Sequence, residues 1–506
     1  MAAASDTPTG REGDMKLFWA CLIALVATSF VFGVRSALIG EIGNDFGLSQ
    51  TEKGEILGVG LWPFALSIIV FSLIIDKIGY KTAAIFAVVC HLVAIVLTLN
   101  ATGFRMLYWG TFIVALGNGA VEAFINPVVA TVFPKEKAKW LNILHAGWPA
   151  GIALGVIFIQ LLGFAEDLSW KVKFGMCFLP VILYALLILK RVFPVQERVA
   201  AGVSYQDMLR EVGFLGFFII GSLVVMGVVQ MTGEVISLGG SLLAGLVIAA
   251  VAGFYTRSIG NPLFIVILLT MGPLATTELG TDTWMIDLLN IELPNASPWI
   301  LAYTAVIMTV LRCYAGPIVH RFSPIGLLVL SAAVAIVGLL FFSKASGITW
   351  ILAAATIYAF GKTFLWSTTL GLVSEQFPRG GALTLNGVSA VGVLGMGLIG
   401  TPGIGYYQDK QIEDDLKANH PALFQQVAGS ETPKLFGLVT PVDPDKKTLL
   451  PKADQEVLSA VEASTKKTNF ARVAVFPAFM LLVYAGIFLY FRSRGGYRPR
   501  DVAASH

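Results

Sequence analysis

Apolar positions in this chain are continuous rather than periodic. Long runs carry almost no charge, and short polar segments separate them. A hydrocarbon core about 30 Å thick needs about 20 helical residues at about 1.5 Å each. The pattern therefore predicts an all-α polytopic membrane protein with about fourteen spans, at 17–40, 54–75, 82–100, 106–132, 141–164, 173–190, 213–231, 236–255, 263–289, 298–318, 325–343, 349–373, 383–405 and 473–491. The first run is longer than a signal-peptide core and lacks a cleavage-site pattern, so it is read as a helix. One long polar stretch, 406–470, is rich in Lys, Asp and Pro, and is expected to form a small helical cap or a mobile loop.

Composition agrees with this reading. Hydrophobic residues make up 56% of the chain and charged residues 13%, against about 25% charged in soluble domains. Mean hydropathy is +0.77. A net charge of +3 gives no basis for nucleic-acid binding. Cys21, Cys90, Cys177 and Cys313 all fall in apolar segments without metal or disulfide spacing, and read as small core residues. With the N-terminus inside, the inner segments hold about eighteen Lys and Arg and the short outer loops about five. This sets both termini in the cytoplasm and 406–470 outside. Compact loops and the lack of an organellar address point to a bacterial inner membrane, and a monomer is expected.

The chain repeats itself. Phe133-Pro134 is followed by Leu141-Asn142 and Gly151, and Phe377-Pro378 by Leu385-Asn386 and Gly395, at a constant offset of 244 residues. Such dipeptides recur by chance in apolar chains, but these also match in their place along the span series. Parallel repeats about an axis along the membrane normal are a transporter design. The expected organisation is a tail (1–16), a six-helix bundle (17–192), a linker (193–212), two additional spans (213–256), a second six-helix bundle (262–492) carrying the 406–470 loop, and a basic tail (493–506). The two additional spans are expected at the periphery.

The second span ends Ile75-Asp76-Lys77-Ile78-Gly79-Tyr80-Lys81. This resembles the D-(R/K)-x-G-(R/K)-(R/K) turn of the major facilitator superfamily, with Tyr80 in place of one basic residue. Asp76 at a helix C-terminus is disfavoured by the dipole and needs a basic partner, so Asp76 and Gly79 suit a conformational latch. An ordinary solvated turn is the plain alternative. The second-half counterpart, Ala315 to Phe322, is degenerate, with His320 where the acid would stand. A narrower similarity lies in Glu122-Ala123-Phe124-Ile125-Asn126-Pro127 and the following Leu141-Asn142, which resemble the E-x-x-x-N-P and L-N patterns of the fucose–galactose–hexose proton symporters. The resemblance implies the major facilitator fold, two six-helix bundles working by alternating access. It departs at the first helix, where Ser36 beside Arg35 replaces an acid. It also places His145 and Trp148 at the polar positions of the fifth helix, and leaves both ion and sugar open.

Ionisable residues inside a bilayer cost several kcal/mol and are functional candidates. Glu122 lies mid-span, where desolvation favours a protonated carboxyl, the property a proton-coupling residue needs. Asn126 shares its face, and Pro127 frees a backbone carbonyl. Glu278 and Asp282 share a helix face in a Thr-rich span. With Asn126, Trp366 and Trp148 they are the expected solute contacts, offering acids for sugar hydroxyls and rings for C–H faces, or with the threonines a set of oxygens for Na⁺. Lys362 shares a face with Trp366, which stands 244 residues after Glu122. Arg35 and Lys362 read as charge-switch residues paired to Glu122, Glu278 or Asp282, or as static packing pairs. His145 reads as a titrating residue or as a satisfied hydrogen-bonding one. Arg312 reads as structural, snorkelling to the inner face.

The glycines read as packing surfaces. No nucleotide, metal or hydrolase pattern can be placed, so no enzyme and no cofactor are expected beyond coupling H⁺ or Na⁺. The sequence thus points to a secondary active transporter of a small polar solute, a monosaccharide first. The alternatives are an organic-anion exchanger using Arg35 and Lys362, or a membrane receptor or scaffold using the 406–470 loop. Multidrug efflux is a weaker option.

Overall fold

The computed structural model describes residues 14–48, 50–162, 168–230, 238–289, 293, 297–434 and 436–502. The extreme ends of both tails and the side chain of Asp287 lie outside the described residues. Among the described residues, thirteen helices are long and apolar enough to span a membrane, and a pair bent by 69° reaches that length and hydropathy only when taken together, as a broken span or a re-entrant loop. They are α1 (Met15–Phe46), α2 (Glu55–Ile78), α3 (Tyr80–Leu99), α4 (Phe104–Val132), α5 (Lys137–Leu162), α6 (Trp170–Leu189), α7 (Tyr205–Gln230), α8 (Leu238–Thr256), α9 (Pro262–Met285), the bent α10 (Ser297–Cys313 with Ala315–Phe322), α11 (Pro324–Phe342), α12 (Ile348–Gln376), α13 (Pro378–Asn419) and α14 (Lys452–Ser493).

The repeat is built into this scaffold. Shifting α4 by 244 residues gives 348–376, the limits of α12, and shifting α3 gives 324–343, within one residue of α11. The repeated glycines do the same work in each half. A Cβ on Gly151 would lie 2.5 Å from the Val26 carbonyl oxygen of α1, and one on Gly395 would lie 2.8 Å from Gly272 Cα of α9. Each lets one helix pass against its neighbour at backbone distance, as expected where packing drives association in lipid.

The inserted pair α7 and α8 pack on each other, and α7 lies across α13, α9 and α2. The 406–470 segment is a cap. Helices α13 and α14 run well past the apolar spans read from the sequence and are joined through Pro421–Val427, a hairpin of β1 (Thr432–Lys434) and β2 (Gly437–Val439), and Pro444–Thr448. Its own small core contains Ile412, Leu416, Leu423, Val427, Leu458 and Val461. The polar composition hid this extension, because an amphipathic helix outside the bilayer gives no continuous apolar run. Cys313 also departs from expectation: it is exposed, at the bend of α10, while the other three cysteines are buried.

The face at which α1 begins and α14 ends is closed by polar contacts. Asp76 pairs with Arg198 in the short helix Glu197–Ala200, and both are buried. Gly79 takes φ +81° at the α2 end, where other residues are strained. Lys137 pairs with Glu197 at 2.5 Å. Between the halves, the Ala138 N–H donates to Glu375 Oε1 (3.2 Å), and His320 lies 3.0 Å from Glu136. His320 thus occupies the acid position of the second-half motif and meets a carboxylate across the seam.

Gly151→Val is expected to cost about 1–3 kcal/mol or more through overpacking. Gly486→Ala, where a Cβ meets nothing within 4 Å, should cost nothing. Thermal unfolding in detergent compares the two.

Candidate functional site

The centre of the molecule is organised by interruptions in its helices. In α4, Pro127 cannot donate to the Ala123 carbonyl one turn earlier. That carbonyl instead accepts from Asn386 Nδ2 of α13 at 2.9 Å. The mirrored contact exists in the other half: Ser367, 244 residues after Ala123, donates to Asn142 Oδ1 at 2.6 Å. The two repeated Leu-Asn pairs therefore each send their Asn across the seam.

Asn126 holds Glu122. Its Nδ2 donates to Glu122 Oε1 at 2.9 Å, and its Oδ1 lies 2.9 Å from His145 Nε2. With the amide oriented this way, His145 must carry its proton on Nε2. Ser389, 244 residues after His145, donates to the same Glu122 oxygen at 3.4 Å. His145 itself is 3.9 Å from Glu122.

Opposite stands a buried ion pair. Arg312 Nη2 donates to Glu278 Oε1 at 2.6 Å, and both side chains are almost wholly buried. Arg312 Nε donates to the Thr363 carbonyl (2.7 Å) and Nη1 to the His145 carbonyl (2.8 Å). Both carbonyls lie at breaks, His145 between two segments of α5 and Thr363 between two segments of α12. The second oxygen of Glu278 accepts from the Trp366 backbone N–H (2.9 Å), freed at the start of the next segment of α12. Helix breaks thus supply acceptors to the cation and a donor to the anion. Glu278 itself lies in a π-helical turn, Thr276–Gly280, a distortion frequent at functional sites.

These groups surround a cavity of about 30 Å³ lined by Glu122, His145, Trp148, Glu278, Arg312 and Trp366, with Phe64, Leu279 and Val393. That is room for about one water. Trp148 lies parallel to Phe64 with ring centroids 6.4 Å apart, and its buried Nε1 has no hydrogen-bond partner among the described residues.

Five residues singled out from the sequence therefore share one cavity wall, and Asn126 stands behind Glu122. Three others lie elsewhere. Lys362 pairs with Asp282, beside Tyr358 and away from the cavity wall. Arg35 meets none of the expected carboxylates: it is buried against α6, 5.9 Å from the Phe174 ring, and its Nη2 has no partner among the described residues. The apolar run could not reveal which face of α1 turns inward. Arg312 was misplaced. It does not snorkel, because the 69° bend of α10 directly after it holds it at cavity depth. Ser389 is the residue that sequence reasoning missed, and its 244-residue relation to His145 is the signal that marks it.

The family model of the Major Facilitator Superfamily matches residues 20–401. The chain is 25% identical over 174 residues to the gentisate transporter of Corynebacterium glutamicum, covering 34% of this chain and 38% of that protein. It is 23% identical over 215 residues to a probable sugar efflux transporter of Helicobacter pylori, covering 42% and 54%. The chain thus spans less than two thirds of either relative. In fold it is similar to a bacterial homologue of the human lysosomal transporter Spinster in an inward-facing, unoccupied conformation (TM-score 0.60, 15% identity, 96% and 98% covered). It is also similar to a variant of the E. coli fucose:proton symporter (TM-score 0.54, 16% identity, 91% and 98% covered). A family match over most of the length, the thirteen to fourteen spans among the described residues and the paired half-bundles lead to one conclusion: this chain belongs to the major facilitator superfamily and is a multi-pass membrane transporter, not an enzyme.

Proposed function

We propose that this transporter carries a small polar solute, a monosaccharide as the leading class, by proton-coupled alternating access, with Glu122 as the proton carrier. The observation that carries this reading is a buried carboxylate with no Lys or Arg in ion-pair reach among the described residues, surrounded by hydrogen-bond donors on a cavity wall that also presents two indoles. Donors suit a carboxylate that gains and loses a proton. A bound Na⁺ would need oxygen acceptors in their place. The Trp148 N–H and the Glu278 carboxylate offer a donor and an acceptor for hydroxyls, and the indole faces cover C–H surfaces.

The contracted cavity must widen to admit a solute. The two half-bundles would rock about it, shearing the Asn142–Ser367 and Asn386–Ala123 contacts. Asp76 and Arg198 would act as the latch on the face where α1 begins and α14 ends, placed in the cytoplasm of a bacterial inner membrane with the cap outside. A second reading, organic-anion exchange, has one observation in its favour: Arg312 stands in the cavity wall, and one stretch of the chain is similar to a gentisate transporter. In that reading Arg312, and neither Arg35 nor Lys362, would hold the carboxylate.

Counterflow in proteoliposomes without an ion gradient, with labelled hexoses, pentoses and aromatic carboxylates, separates the two readings. Sugar accumulation supports the first, and uptake confined to carboxylates replaces it. Glu122→Gln should reduce proton-driven accumulation to equilibrium while sparing counterflow; full accumulation in this variant would remove Glu122 from coupling. Arg312→Ala strands Glu278 and should cost about 3–5 kcal/mol. Combining Arg312→Met with Glu278→Gln should restore thermal stability and leave transport impaired.

A further inference from the structure

Away from the central site, helices α13 and α14 leave the bilayer side by side on the cap face and enclose a groove of about 800 Å³. Its chemistry changes in a fixed order along the membrane normal. Val475 and Phe476 open the apolar final segment of α14, where the hydrocarbon region begins. Next outward come two cations, Arg472 at the end of the polar segment of α14 and Lys410 on α13. Gln411 stands directly beside Lys410, and Asp414 one turn further out along α13.

We infer that this groove binds a phosphatidylethanolamine lipid, its acyl chains on Val475 and Phe476, its phosphate on Lys410 and Arg472, and its ammonium on Gln411 and Asp414. The order apolar, cationic, acceptor is the order acyl, phosphate, ammonium of that lipid. Arg472 spends one N–H on the Tyr407 carbonyl at a long 3.4 Å, leaving the rest of its fork to face a phosphate. The Lys410 ammonium already lies 3.1 Å from Asp414 and 3.2 Å from Glu413, the acids that a second cation would share. Gln411 Oε1 is buried and has no hydrogen-bond partner among the described residues. Such an acceptor calls for a donor, and a primary ammonium supplies one. A choline headgroup has no N–H to give. A glycerol headgroup brings no positive charge to Asp414. A lipid is the source, and not a soluble phosphate ester, because the groove floor continues into the bilayer and Val475 is 62% exposed there.

The test uses the full chain purified in detergent and titrated with phosphatidylethanolamine, phosphatidylcholine and phosphatidylglycerol of one acyl composition, with bound lipid counted by native mass spectrometry. Phosphatidylethanolamine should bind about tenfold tighter than either alternative. Arg472→Glu should abolish the bound population. Gln411→Leu should reduce the preference over phosphatidylcholine while leaving phosphatidylcholine binding unchanged. Thermal unfolding of both variants confirms that the cap is intact. Equal binding of the three headgroups, or an unchanged preference in Arg472→Glu, overturns the inference. Competition by soluble phosphoethanolamine at the same concentrations as the lipid would reassign the groove to a soluble ligand and overturn it also.

Discussion

A guanidinium in the middle of a membrane protein has no water to turn to, so each donor must find an acceptor within the protein. Arg312 meets this demand with Glu278 and with the carbonyls of His145 and Thr363. An unbroken helix has no spare carbonyl to give. The breaks in α5 and α12 and the buried pair therefore require one another. Because the His145 carbonyl belongs to the first bundle and the other partners to the second, this one residue also ties the halves together at the cavity.

The two halves share a scaffold and differ in chemistry. Asn142 and Asn386 occupy equivalent positions and make equivalent reaches across the seam. Around the cavity the equivalence stops. Glu122 answers to Trp366, His145 to Ser389, and Trp148 to Gly392. A Cβ at Gly392 would come 2.8 Å from the Trp366 ring. The second half thus uses a glycine where the first has an indole, and gives the space to Trp366. The first half supplies Glu122 in a nest of donors, and the second supplies a balanced ion pair. The central site is asymmetric although the frame around it is nearly two-fold.

Closure at the face where α1 begins and α14 ends rests on charge pairs, whereas the cavity itself is small and mostly walled by rings and apolar side chains. Exposed ion pairs such as His320–Glu136 contribute little to stability. The buried pair of Asp76 and Arg198 is different: breaking it leaves a charge without a partner. The linker that follows α6 supplies both Arg198 and Glu197. It therefore holds the end of α2 and the start of α5 together.

Apolar run length alone determined the membrane environment and the number of spans, because the thickness of a bilayer leaves a helix few other lengths to take. The 244-residue offset determined the equivalence of the halves, and mid-span ionisable residues marked Glu122, Glu278 and His145 as central. The tertiary structure decided which charges meet. Arg35 and Lys362 read alike in the sequence, yet one lies against Phe174 and the other pairs with Asp282, since continuous apolar spans give no periodic signal for which face turns inward. Arg312 looked peripheral because depth was counted along a straight helix, and only the bend of α10 sets it beside the cavity. The cap likewise needed the fold: outside the bilayer, length and hydropathy no longer constrain a helix, and packing on its own small core is what extends α13 and α14.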